Sequence, residues 1–229
     1  MKVAVIRFPG SNCDQDALHA LRDQIGLGAD YVWHADTSLA GFDAVFIPGG
    51  FSYGDYLRCG AVASRAPIMG AVQEFATAGK PVIGVCNGFQ VLTEAGLLPG
   101  ALLLNEKERF VCKDVSLRPE SRNSLWLSGV DKVLRIPIAH GEGRYTCDPE
   151  TLKILNEEGR IAFRYCSPSG ELGSAWNPNG SLDHIAGILN EKGNVLGMMP
   201  HPERACNASF GNADGALILK ALTLVNSRA

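Results

Sequence analysis

Short apolar runs alternate with amphipathic stretches over the first 95 residues. Apolar, β-branched runs predict strands at Val3–Phe8, Ala29–Ala35, Phe42–Ile47 and Pro81–Val85. Apolar residues at helical spacing predict helices at Asp16–Gly26, Ser64–Ala78 and Gly88–Ala95. Strands and helices that alternate through short connections predict an α/β fold, with a mostly parallel sheet covered on both faces.

The pattern changes after Ala101. Predicted strands follow one another without matching helices, at Leu102–Asn105, Arg109–Leu117, Val133–Ala139 and Ile161–Cys166. A hairpin is predicted around Glu191–Asn194, between Ile185–Asn190 and Val195–Met199, and a buried last helix at Asp214–Val225. We therefore expect an antiparallel extension of the sheet. Because no linker, repeat or low-complexity tract interrupts the chain, residues 1–229 are expected to form one domain.

Composition narrows the function classes. The 229 residues are 46% apolar with a net charge of −3, which suits a globular chain with a large core. The sequence has no basic run and no apolar stretch of the roughly 18 residues a membrane span needs, so neither a nucleic-acid nor a membrane surface is expected. Seven scattered cysteines without a C-x-x-C pair argue against disulfides and a metal site. A reduced, cytoplasmic compartment is expected.

Cys86 is the candidate nucleophile. It lies between the predicted strand that ends at Val85 and the helix that starts at Gly88, so the chain must bend sharply there. Gly84-Val-Cys-Asn-Gly88 matches the G-x-S-x-G elbow of serine hydrolases with sulfur in place of oxygen. N–H groups at the start of a helix favour thiolate over thiol. A buried structural cysteine is the alternative that this motif alone leaves open.

His201 is the candidate base. It lies between Pro200 and Pro202 and is followed by Glu203. A proline favours extended geometry in the residue before it, and residues two apart in an extended segment point to the same side. Glu203 is therefore predicted to hydrogen-bond the imidazole, fix its tautomer and stabilise imidazolium. A rigid surface turn with an incidental glutamate is the alternative.

Two further motifs lie where ligands are expected, at the carboxyl ends of parallel strands. Without a Cβ, Gly49 and Gly50 do not obstruct a backbone N–H that faces an oxyanion, although a hairpin-type turn is the alternative. The N–H of Asn87 is the predicted second oxyanion donor. Gln90 follows Cys86 by about one helical turn, so it is expected on the same side, either holding a polar substrate or facing solvent.

The combination of Cys86–Gln90 with His201–Glu203 resembles the class I (triad) glutamine amidotransferases. Longer matching stretches run from end to end, at Arg7–Asp14, Pro48–Gly60, Pro137–Arg144 and Gly197–Arg204. They are most similar to a branch of this family that works as a free-standing glutaminase subunit in purine biosynthesis. The resemblance implies a flavodoxin-like three-layer sandwich whose mostly parallel sheet has an antiparallel extension.

The resemblance also implies a mechanism. Cys86 attacks the side-chain amide of glutamine, His201 protonates the departing ammonia, and Glu203 orients His201. The amides of Gly50 and Asn87 hold the oxyanion, while Gly49 and Gln90 contact substrate. Water then hydrolyses the glutamyl thioester.

The partners follow from the same resemblance. Ammonia passes to a large synthetase subunit, which uses ATP and Mg²⁺, and a small accessory subunit completes the complex. No cofactor or metal is expected in this chain. Two alternatives remain open: a stand-alone cysteine hydrolase of the same fold, and a binding subunit with a decayed site. The second expects a missing triad member, and none is missing.

Overall fold

A computed structural model describes residues 1–121 and 124–227. Its strands, numbered along the chain, are β1 (Lys2–Arg7), β2 (Gly28–Trp33), β3 (Ala44–Ile47), β4 (Val82–Val85), β5 (Ala101–Leu103), β6 (Val111–Pro119), β7 (Leu134–His140), β8 (Arg144–Thr146), β9 (Ile161–Cys166), β10 (Ile185–Leu189) and β11 (Val195–Met198). Its α-helices are α1 (Asp14–His19), α2 (Ile68–Thr77), α3 (Asn87–Glu94), α4 (Pro149–Glu157) and α5 (Asp214–Leu219). None of these helices is long and apolar enough to cross a membrane.

One large sheet holds nine of these strands, in the order β2-β1-β3-β4-β11-β10-β9-β6-β7. The first five strands in this order are parallel to one another. The sequence β2-β1-β3-β4 is the strand order typical of flavodoxin-like folds, and β11 takes the fifth position, beside β4. The other four are antiparallel to their neighbours, which confirms the antiparallel extension predicted after Ala101. Strands β5 and β8 pair separately. The α/β fold class predicted from the sequence is confirmed.

The core explains why the central strands are apolar at every position. All residues of β3, β4 and β11 are buried, because helices cover both faces of a doubly wound sheet. Helix α2 contributes one apolar stripe, with Ile68, Val72 and Phe75 buried at helical spacing. Side chains of this kind each contribute about 1.5–3 kcal/mol on full burial, so this layer fixes the position of the strand ends.

Helix α4 breaks the predicted pattern, so the expectation of strands without helices after Ala101 is wrong at this point. The local signals are present: the Asp148 side chain accepts a hydrogen bond from the Thr151 N–H at 2.9 Å, and Pro149 occupies the first turn. Only Leu155 of this helix is fully buried, so its apolar stripe is too narrow to stand out in the sequence.

Three predicted helices have different boundaries. The first is an α-helix only to His19 and continues as a π-helical turn at Ala20–Gln24. The second starts at Ile68, because Pro67 removes a backbone donor just before it, and Ser64 lies in a separate 3₁₀ turn. The last continues as a 3₁₀ helix over Lys220–Ser227.

The topology brings three separate segments to one edge of the sheet. Strands β3, β4 and β11 are parallel neighbours, so their carboxyl ends lie side by side. Gly49, Cys86 and His201 each follow one of these ends within three residues. Strand β7 reaches the same place from the antiparallel part, since the Pro137 carbonyl accepts the His201 N–H at 2.8 Å.

Candidate active site

Cys86 occupies the predicted sharp bend. Strand β4 ends at Val85 and α3 begins at Asn87, which leaves Cys86 alone at φ +52° and ψ −108°. A positive φ is rare for a residue with a side chain, and such strain is characteristic of functional turns. The bend also depends on glycine, because a Cβ on Gly88 would overlap the Ile47 carbonyl. The strained elbow predicted from the sequence is thus confirmed.

His201 and Glu203 form a buried pair. Nδ1 of His201 lies 2.6 Å from Oε1 of Glu203, and the two side chains are 1% and 0% exposed. The extended geometry that predicted this contact is wrong, because Pro202–Arg204 forms a 3₁₀ turn. The tight turn brings the carboxylate back toward the imidazole, so the contact is present for a different reason.

The charge state of His201 follows from its surroundings. Burial alone lowers its pKa, but the charge of Glu203, followed by the interaction with Cys86, outweighs burial and raises the pKa to about 10. His201 is therefore an imidazolium at neutral pH. Because Nδ1 faces Glu203, Nε2 is the ring atom left for chemistry, and it makes no hydrogen bond to any described residue.

Gly49 separates the imidazole from the nucleophile. A Cβ placed on Gly49 would lie 2.8 Å from Cε1 of His201, 3.2 Å from Sγ of Cys13 and 3.3 Å from Cβ of Cys86. All three side chains therefore pack against this one residue. The missing side chain allows His201 and Cys86 to approach the same point.

If His201 and Cys86 are the reacting groups, we expect Gly49→Ala to reduce kcat/KM about 100-fold, because displacing such a group by about 1 Å costs that much. Gly70→Ala is the matched control: Gly70 lies in α2, and a Cβ there meets nothing within 4 Å. Steady-state assays and thermal unfolding of both variants make the test. Full activity in Gly49→Ala would show that the imidazole does not need this space.

Asn87 and Gly50 lie where the oxyanion donors were predicted. Asn87 is the first residue of α3, so its N–H has no acceptor within the helix. Its side-chain Oδ1 accepts the Ser52 N–H at 3.3 Å. Gly50 borders the same cavity as Cys86, at φ +138°, where a Cβ would lie 2.7 Å from the Asn12 nitrogen. Their role as oxyanion donors stays a prediction.

A cavity of about 180 Å³ opens beside Cys86 and His201. Gln90 borders it, 5% exposed, and donates from Nε2 to the Glu142 carbonyl at 2.6 Å. The solvent-facing alternative for Gln90 is therefore wrong. The other bordering residues come from four separate segments and from the end of β7 with the turn after it: Asn12, Cys13, Gly50, Phe51, Asp55, Cys59, Phe110, Ala139, His140, Gly141, Glu142 and Arg204.

Strand β7 forms one wall of this cavity. The apolar pattern of the sequence ends this strand at Ala139, but the strand continues through His140, which is 3% exposed. The Ala139 carbonyl lies 3.6 Å from Sγ of Cys86. The resemblance of Pro137–Arg144 to the family is the one sequence signal that points to this wall.

Cys13, His201 and Glu203 bring possible metal ligands within 4.8 Å of one another. Their surroundings oppose a metal ion. His201 and Glu203 already engage each other, and an Arg204 nitrogen lies 3.1 Å from Sγ of Cys13, where its positive charge repels a cation. Burial, followed by the charge of Glu203, raises the pKa of the Cys13 thiol to about 12, so thiolate formation is costly.

Comparisons with known proteins place these features in a family. The family model of the CobB/CobQ-like glutamine amidotransferase domain matches residues 1–215. A chain in the structure of PurLQS from Thermotoga maritima is 41% identical, with a TM-score of 0.87, and the match covers 100% of this chain and 99% of that chain.

A second solved structure shows how far the fold extends beyond close sequence similarity. A protein from Thermoplasma acidophilum that is described as a GMP synthase subunit is 13% identical with a TM-score of 0.65. The match covers 100% of this chain and 95% of that chain. At that identity the likeness shows the fold alone.

The family assignment agrees with the arrangement of the site. The matched region includes Cys86 on its strained elbow and the buried pair of His201 and Glu203. The identity of 41% extends over the whole chain. This protein belongs to the CobB/CobQ-like glutamine amidotransferase family.

Proposed function

We propose that this chain is the glutaminase subunit of phosphoribosylformylglycinamidine synthase, an enzyme of de novo purine biosynthesis. One observation carries the proposal: Cys86, His201 and Glu203 meet at the edge of the sheet, beside a cavity. The identity of 41% with a chain of the PurLQS structure supports the assignment to this synthase. Residues 1–229 act as one glutaminase domain.

The reaction in this proposal is the hydrolysis of glutamine to glutamate and ammonia. The Cys86 thiolate adds to the side-chain carbonyl, and the N–H groups of Gly50 and Asn87 stabilise the oxyanion. His201 gives its Nε2 proton to the nitrogen as the C–N bond breaks, and a glutamyl thioester remains. His201 then accepts a proton from water, which attacks the thioester and releases glutamate and the thiolate.

The substrate contacts belong to the same proposal. Gln90 and Gly49 border the bound glutamine. The cavity bordered by Gln90 supports this, since the side chain is held in place by Glu142 and by Asn87, whose Nδ2 lies 2.9 Å from Oε1 of Gln90.

Ammonia is used by a separate large synthetase, which converts formylglycinamide ribonucleotide to the amidine with ATP and Mg²⁺. A small accessory subunit completes the complex, and this chain holds no cofactor of its own. The cytoplasm is the proposed location, supported by seven cysteines that are all free thiols.

The loop Phe51–Arg58 is the proposed contact with the synthetase. Phe51, Tyr56 and Leu57 are 49%, 72% and 82% exposed, and Phe51 borders the catalytic cavity. Tyr53, Asp55 and Leu57 have positive φ angles, so the loop is held in a costly conformation. A partner that binds one loop conformation better than another shifts the loop, and the neighbouring Gly50 donor with it, toward that conformation.

The experiment is glutamate release from glutamine by the purified chain, alone and with the synthetase and its nucleotide substrate. We expect turnover to rise about 100-fold in the complex, because loss of one oxyanion donor lowers kcat by about that factor and the partner would restore the Gly50 donor. Leu57→Asp should abolish the rise, whereas Ile154→Asp, exposed on α4, should keep it. A lone chain already at full speed and unchanged by the partner would instead favour the stand-alone hydrolase.

A further inference from the structure

Asn105 fixes the tautomer of His140. The amide nitrogen of Asn105 donates to the carbonyls of Arg109 and His140, at 2.8 and 2.9 Å. Its oxygen accepts the Gly143 N–H at 3.0 Å and faces Nδ1 of His140 at 3.0 Å. A flipped amide would turn its oxygen toward two carbonyl oxygens, so the orientation is settled. Nδ1 of His140 therefore carries the proton.

The other ring nitrogen is left as an acceptor. Nε2 of His140 is buried and has no hydrogen-bond partner among the described residues. One face of the ring packs closely on Gly143, where a Cβ would overlap the imidazole. His140 borders the catalytic cavity. An unsatisfied buried acceptor costs free energy, so the site is suited to a ligand that donates a hydrogen bond.

His140 stays neutral over the working range of pH. Burial, followed by the positive charge of His201, lowers its pKa to about 4. Two histidines at one site thus have opposite roles: His201 carries a proton on Nε2, and His140 carries a lone pair there.

The position of His140 identifies the end of the substrate that it meets. The adjoining Ala139 carbonyl is 3.6 Å from the Cys86 sulfur, and Cys86, His140 and His201 border the same cavity. In the proposed reaction the nitrogen that His201 protonates lies in this cavity. The side-chain amide of glutamine is therefore the donor that we assign to Nε2 of His140, and its α-ammonium group is the alternative that the experiment separates.

We propose that Nε2 of His140 accepts a hydrogen bond from the side-chain amide nitrogen of glutamine and keeps it as that nitrogen leaves. The inference rests on the proposed glutaminase function. When the thiolate adds to the carbonyl, the nitrogen becomes pyramidal and retains two N–H bonds. When His140 accepts a hydrogen bond from one of these N–H groups, the new lone pair of the nitrogen points toward the proton on Nε2 of His201. The C–N bond then breaks and neutral ammonia departs.

Two variants at one position test this role. In His140→Asn the shorter amide still reaches Asn105 but has no group at the Nε2 position, whereas His140→Gln extends an amide oxygen toward it. We expect kcat/KM for glutamine to fall about 10- to 100-fold in His140→Asn and to recover substantially in His140→Gln. With the γ-methyl ester of glutamate, whose leaving oxygen carries no hydrogen, the loss in His140→Asn should stay below about 3-fold.

The outcomes separate the two proposals. Wild-type protein in its complex that releases no glutamate from glutamine would overturn the glutaminase function itself. With that activity present, equal losses on amide and ester would overturn the assignment to the amide nitrogen, since both substrates carry the α-ammonium group. No loss on either would overturn the role of His140 altogether. Alkylation of Cys86 by iodoacetamide at the wild-type rate shows that each variant keeps its nucleophile intact.

Discussion

Replacing Cys86 with alanine should abolish glutamine-dependent synthesis by the complex while leaving ammonia-dependent synthesis largely intact. The loss on glutamine should be about 10³-fold or more, because the variant cannot form the thioester. In the proposed complex, free ammonia enters the reaction after this step, in the synthetase subunit. The measurement is the rate of amidine formation in the reconstituted complex with each nitrogen source.

Cys112 offers a matched control for this experiment. Its side chain is exposed on β6, so Cys112→Ala removes a thiol of the same kind without touching the site. Both activities should stay at the wild-type level in that variant. If Cys86→Ala reduced ammonia-dependent synthesis as strongly as glutamine-dependent synthesis, Cys86 would have a structural or interfacial role.

The elbow could be predicted because its cause is local. Only Cys86 separates the strand from the helix, so the chain must bend sharply at this residue. The Ile47 carbonyl lies so close to residue 88 that only glycine fits there. Parallel order likewise follows from the alternation of elements, and it places Gly49 and Cys86 at one edge. These features depend on neighbours in sequence or on a general topological rule.

The wall opposite the elbow could not be predicted in the same way. It depends on the pairing of β6 with β7, and on the contact between the Pro137 carbonyl and His201, which lie 64 residues apart. No local pattern encodes such a contact. For the same reason the sequence alone does not show that His140 is buried, or that Asn105 fixes its tautomer, since 35 residues separate them.

The pair of His201 and Glu203 shows a third case, in which the contact was predicted for the wrong reason. The prediction relied on an extended segment, in which side chains two residues apart point to the same side. The structure has a 3₁₀ turn instead, and this turn also brings the side chains of His201 and Glu203 together. The distinction matters for mutagenesis. The turn depends on Pro202, which is buried, and on Gly215, where a Cβ would overlap the Pro202 carbonyl. The geometry of the pair is therefore set by α5 as well as by its own loop.

Glu203→Gln should lower turnover on glutamine by about 10²- to 10⁴-fold, the contribution typical of general acid–base catalysis, since a Ser-His-Asp triad loses about 10⁴-fold when its carboxylate becomes an amide. The amide keeps the size of the side chain but removes the charge that offsets the burial of His201. The His201 pKa then falls, and the imidazolium that is proposed to protonate the leaving nitrogen is lost. Glu157→Gln, on the exposed surface of α4, is the control and should be silent.

The same variant should change how stability depends on pH. In the wild type the folded-state pKa of His201 lies above its ordinary value of 6.5, at about 10. Its contribution to the free energy of unfolding is therefore complete below about pH 6.5 and lost as the pH rises through 10. Glu203→Gln lacks this contribution, so urea unfolding at pH 6 and pH 10 should show a smaller difference than in the wild type. A variant with near wild-type turnover and an unchanged pH dependence would mean that another group orients His201.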